Sequence, residues 1–144
     1  MDNHLFIPVG IYRRGVTVFL GSKKELVKYL RTHCPDVLEE IEDELSMSGS
    51  LGLCFKLDAG ESLVWCHKNV ALSTIVHELA HASFHMLKAV GIPLSENGEE
   101  YTYLLEFLCE RTFQWLNLIS SCDAPSQSSS DATLHSSRIQ VEEV

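Results

Sequence analysis

The chain is 144 residues long, with 45% hydrophobic side chains, 22% charged side chains and a formal net charge of −9 at pH 7, which describes one domain around one core with no room for a separate substrate lobe. The acidic balance argues against nucleic acid as a partner, because phosphate binding needs clustered cations and the only basic pairs are Arg13-Arg14 and Lys23-Lys24. No apolar run reaches the roughly 18 residues of a membrane span, and Met1-Asp2-Asn3-His4 has neither the basic start nor the apolar stretch of a signal peptide, so no membrane partner is expected and the cytoplasm is the expected location.

In chain order, Leu5 to Tyr12 and Gly15 to Gly21 are β-branched and aromatic runs separated by Arg13-Arg14, a pattern that predicts two strands of a hairpin. Ser22 and Glu25 form a capping box ahead of a short helix whose apolar face is Leu26, Val27, Tyr29 and Leu30. Pro35 opens a second helical piece, 36–47, in which Asp36, Glu39, Glu40, Glu42, Asp43 and Glu44 surround an apolar stripe of Val37, Leu38, Ile41 and Leu45. Acids spread in this way are a solvated face. Segments 51–57 and 62–67 then read as strands joined by Asp58-Ala59-Gly60-Glu61, a hairpin turn. Five cysteines at irregular spacing, Cys34, Cys54, Cys66, Cys109 and Cys122, contain no Cys-x-x-Cys and read as reduced packing thiols.

The run Ser73 to Phe84 contains His77-Glu78-Leu79-Ala80-His81 inside a helix expected over 72–90, with an apolar stripe of Leu72, Ile75, Val76, Leu79, Met86 and Val90. Residues four apart lie one turn apart on the same face, so His77 and His81 can turn imidazole nitrogens toward one cation. The two histidines otherwise simply face water. Glu78 projects one step round the helix, where a carboxylate can take a proton from metal-bound water without ligating the metal. His85 continues the i+4 series but lies about 12 Å of helix rise beyond His77, too far to join the same ion without a bend.

Gly91-Ile92-Pro93-Leu94-Ser95 breaks this helix, and Asn97 with Glu100 makes an N-cap pattern for the next, 98–119. Its apolar stripe includes Tyr101, Leu104, Leu108, Thr112 and Trp115, and Glu99, Tyr103, Glu106 and Glu110 share the opposite face. Two helices joined by a short turn pack antiparallel, which brings a carboxylate at the start of the second within reach of the histidines. Glu99 is the expected third ligand, since Glu100 is accounted for by the cap. Tyr101 or Tyr103 could donate to an oxyanion, although packing is the plainer role for both. From 122 to 144 the chain is serine-rich and acidic, and a disordered tail is expected after a domain spanning 1–121.

The assembled residues resemble the zincin superfamily of zinc metallopeptidases, in particular its glutamate-completed branch, the gluzincins. The resemblance rests on His77-Glu78-Leu79-Ala80-His81 followed by Glu99 or Glu100 on a second helix. More narrowly, Val76 to Leu108, with Gly91-Ile92 in the turn and Asn97-Gly98-Glu99-Glu100-Tyr101-Thr102-Tyr103-Leu104 after it, is similar to small phage- and prophage-encoded proteins assigned as zinc peptidases. That resemblance covers about a quarter of the chain. It implies an α+β fold: a minimal zincin-like core with a small antiparallel sheet packed on the His-Glu-x-x-His helix and a second long helix. It also implies Zn²⁺ held by His77, His81 and Glu99, Glu78 as general base, a peptide or protein substrate, and an edge strand at Ser62–Cys66 along which an extended peptide adds. If phage-encoded, the protein would act in the host cytoplasm. Two departures from larger gluzincins stand out: there is no second lobe, and Tyr103 follows Glu99 by four residues where some gluzincins carry an aspartate. The alternative from another class is a non-catalytic phage structural or interaction protein stabilised by a closed zinc site, with Cys66 or His67 as a fourth ligand.

Overall fold

A computed structural model describes residues 3–57, 60–94 and 98–122. The fold is α+β, as expected from the sequence. Strands β1 (His4–Val9) and β2 (Arg14–Leu20) form the first hairpin, whose turn is a single 3-10 turn at Gly10–Tyr12 closed by Arg13 at φ 51°. Helix α1 (Lys23–His33) follows directly, and its capping box is formed: the Glu25 amide donates to Ser22 Oγ at 3.3 Å and the Ser22 amide donates to Glu25 Oε2 at 2.7 Å. The Ser22 hydroxyl also donates to Glu25 Oε2 at 2.7 Å, and this bond, together with that from the Ser22 amide, holds the Glu25 carboxyl below the usual carboxylate range. A 3-10 turn at Pro35–Val37 leads into α2 (Leu38–Met47), whose buried residues are Ile41 and Leu45 while the acids stay toward water.

Strands β3 (Gly52–Lys56) and β4 (Ser62–Cys66) pair antiparallel, and the sheet order is β1-β2-β4-β3. Because β4 also pairs with β2 in parallel, the sheet is mixed, where an antiparallel one was expected. Moreover, β4 is an interior strand rather than the expected edge. All five of its residues are buried, which explains the unbroken apolar run Leu63-Val64-Trp65-Cys66: a strand covered on both faces has no polar alternation to show. The edge strand beside the next helix is β3.

Helix α3 (Leu72–Ala89) and helix α4 (Glu99–Cys122) complete the described residues. Helix α3 ends in a Schellman motif, with the Ile92 amide bonded to Leu87 O at 3.0 Å, the Gly91 amide to Lys88 O at 3.2 Å and Gly91 at φ 73°; a residue without Cβ adopts that left-handed conformation at no steric cost. Helix α4 reaches Cys122, so that residue belongs to the helix, and the expected tail from 123 to 144 lies outside the described residues, as does the proposed cap at Asn97.

The sheet is sandwiched between two helical layers. On one face Phe19, Phe55, Leu63 and Trp65 pack against Leu26 and Leu30 of α1 and Ile41 and Leu45 of α2. On the other, Ile7, Val9, Val16, Val18, Val64 and Cys66 pack against Ile75, Leu79, Ala82, Met86 and Leu87 of α3 and Leu104 and Leu108 of α4.

Candidate metal centre

The side of α3 that meets the sheet is Ile75, Glu78, Leu79, Ala82, Ser83, Met86 and Leu87, spaced i, i+3, i+4, i+7 as an amphipathic helix requires. The expected stripe is right at its centre and wrong at its start, since Leu72 is exposed. His77 and His81 stand on the solvent side, as expected, with their Nε2 atoms 3.1 Å apart and their rings edge to face at 83°. Two nitrogens each about 2.0–2.1 Å from one tetrahedral zinc stand about 3.3 Å apart, so the pair is spaced to share an ion. Without a cation, one imidazole has to present Nε2–H and the other a bare Nε2.

Glu78 lies on the flank of α3 turned to β3 and is only 8% exposed. Burial raises its carboxyl pKa, and the neighbouring His77 and His81 pull it partly back down. The closeness of the edge strand is set by Gly52: a Cβ there would stand 2.9 Å from Thr74 Cγ2, 3.0 Å from Glu78 Cγ and 3.3 Å from Cys66 Sγ. Only a residue with no side chain lets β3 approach the helix at the level of the carboxylate. Cys54 and Cys66 share this face of the sheet. Burial, reinforced by the charge of Glu78, pushes both thiols up to about 12, so they are protonated, as packing cysteines are expected to be.

His85, one turn beyond His81, turns its Nδ1 to Cys54 Sγ at 3.8 Å. Burial first, and then the charges of His81, Lys56 and Lys88, lower its pKa. This contact was not anticipated from the sequence, although period-two alternation on β3 puts Gly52, Cys54 and Lys56 on one face and the helix puts His85 in line with the other histidines.

Glu99 is exposed at the first position of α4, on the same face as Tyr103, Glu106 and Glu110, which are exposed as expected. Glu100 instead lines a cavity of about 470 Å³ with Val9, Ile11, Tyr103 and Phe107, on the β1 side of the helix. Tyr101 packs against the core, and burial raises its phenol pKa. His67 Nδ1 accepts a bond from the Asn69 amide at 3.4 Å. Among the described residues no three His, Cys, Asp or Glu side chains gather into a group that could hold a metal ion; what the fold assembles is the histidine pair with the buried glutamate beside it.

Comparison with protein-family models, with curated proteins and with solved structures finds no match to this chain. Among the described residues no helix is long and apolar enough to cross a membrane.

Proposed function

We propose that this protein is a zinc-dependent metallopeptidase that hydrolyses peptide bonds with Glu78 as general base. The observation that carries the reading is the 3.1 Å approach of His77 Nε2 and His81 Nε2 on a helix whose intervening Glu78 is held at the rim of the core. His77 and His81 would hold the ion, and Glu99, which the structure does not gather with them, would have to approach as the third ligand. Bound there, zinc would lower the pKa of a water from 15.7 toward about 7.

The rest follows from the chain's own groups. Glu78 takes a proton from the attacking water and hands it to the leaving amine, the two transfers open to a carboxylate that stands beside the histidine pair without ligating the metal. The edge of β3 runs along α3 from Gly52, beside Glu78, to Cys54, beside His85. An extended peptide added to that edge passes the base and the histidines in turn.

The test is elemental analysis of purified protein together with hydrolysis of a peptide library. One zinc per chain is expected in the wild type and none in His77→Ala or His81→Ala; Glu78→Gln should keep zinc and lose all cleavage. Glu99→Ala should lower zinc affinity, while Glu100→Ala should not. Wild-type protein without metal sinks the reading, and equal cleavage by Glu78→Gln removes Glu78 as the base. Tight zinc in a protein that cleaves nothing supports the structural-zinc alternative.

A further inference from the structure

The outer edge of β3 crosses a cavity of about 250 Å³ lined by Val37, Glu40, Ile41 and Glu44 from α2 and its lead-in, by Cys54 to Leu57, and by His85. Cys54 faces α3 and Phe55 faces α2, so a cavity touching both passes over the free edge of the strand. Its volume falls below the roughly 300–1,000 Å³ of a typical small-molecule pocket but suits one long side chain. The floor on the α2 side is apolar, built from Val37, Ile41 and Phe55. Glu40 and Glu44, four apart, stand on one face of α2 at the rim, both exposed, and neither forms an ion pair among the described residues. Glu44 lines the same cavity as Cys54, which places it beside the strand edge. Of the other two titratable groups, Lys56 lies on the α3 face of β3 with Gly52 and Cys54, and His85 turns its Nδ1 to Cys54 Sγ at 3.8 Å.

We propose that this cavity is the specificity pocket of the peptidase reading above, on which the inference rests, and that it receives a Lys or Arg side chain from a peptide laid along β3. An apolar floor under a carboxylate rim matches a basic side chain part by part: the methylene stem lies on Val37, Ile41 and Phe55, and the cationic head meets Glu40 and Glu44. The net charge of −9 favours the approach of such peptides as well. His85 stands about 6 Å of helix rise beyond His81, which is roughly two residues of extended chain. The basic residue is therefore placed about two positions from the bond that is cut.

The experiment uses the full chain carrying Glu78→Gln, so that binding is read without cleavage, and measures fluorescence anisotropy of three extended peptides that differ only in a central Arg, Gln or Glu. The Arg peptide is expected to bind about tenfold tighter than the Gln peptide, with the Glu peptide weakest. Adding Glu40→Gln and Glu44→Gln, exposed substitutions whose effect on the fold is checked by circular dichroism, should bring Arg and Gln peptides to parity. Equal binding of Arg and Gln peptides before that change, a preference that survives it, or no binding of any of the three overturns the proposal. Binding does not depend on hydrolysis, so a wild-type protein that prefers Arg peptides yet cleaves nothing would retain the pocket and lose the peptidase reading.

Discussion

The two faces of the sheet are built to different standards. The face under α1 and α2 is a closed apolar cluster centred on Trp65, Phe19, Leu26, Leu30 and Leu63, each almost wholly buried. Among the described residues, the buried polar groups Ser62, Glu78, Ser83 and Thr112 all lie on the other side, with α3 and α4. Ser83 and Thr112 return their hydroxyls to the helix carbonyls four residues back, at 2.9 and 2.8 Å, so they cost little. Glu78 has no such excuse: a carboxylate at the edge of a core is expensive to ionise. Both faces thus bury an apolar cluster, and the α3/α4 face holds in addition a carboxylate beside a histidine pair.

Four substitutions probe that contrast, in order of expected effect. Trp65→Ala should cost about 3–5 kcal/mol in urea denaturation, because it empties the centre of the α1/α2 cluster and removes the indole N–H bond to Gly21 O at 2.9 Å. A loss under 1 kcal/mol would mean that this cluster contributes little to stability.

Gly52→Ala should cost about 1–3 kcal/mol by overpacking and should also reduce any hydrolysis, since the added Cβ meets Glu78 Cγ at 3.0 Å. Gly49→Ala, where a Cβ meets nothing within 4 Å, is the control and should not affect activity. If both substitutions behave alike, the close approach of β3 to α3 is not what positions the base.

Ser22→Ala should cost about 1 kcal/mol through the lost cap on α1 and leave metal content unchanged. A change in zinc stoichiometry would link the two faces in a way their separate cores do not suggest.

Metal-free Glu78→Gln gives the smallest and most pH-dependent effect. Burial raises the pKa of Glu78 in the folded protein, so the folded state binds this proton more tightly than the unfolded chain does. The contribution of Glu78 to stability is therefore full below the ordinary carboxylate pKa and is lost as pH rises through the raised folded value. The Gln variant does not titrate, so its thermal midpoint should gain on the wild type from acid to neutral pH. A gain in the opposite direction would show that the carboxylate is stabilised by charge in the fold.

Helices, caps and the histidine pair were legible in the sequence because each depends on residues within a turn or two of one another. The Ser22–Glu25 box, the stop at Gly91 and the placing of His77 and His81 on one face follow from 3.6-residue periodicity and local hydrogen bonding alone. Both hairpins were legible for the same reason. Strand order was not: Ser62–Cys66 is as good an edge strand as an interior one until β2 pairs with it in parallel, and that pairing joins segments more than 40 residues apart. Tertiary structure alone therefore decided that β3 is the edge beside α3, that Gly52 lets it approach the helix, that Glu78 is buried rather than solvated, and that His85 meets Cys54. The sequence by itself determined which groups line one helix face, because covalent geometry sets that spacing; what each group touches depends on contacts between distant segments, which only the folded chain brings together.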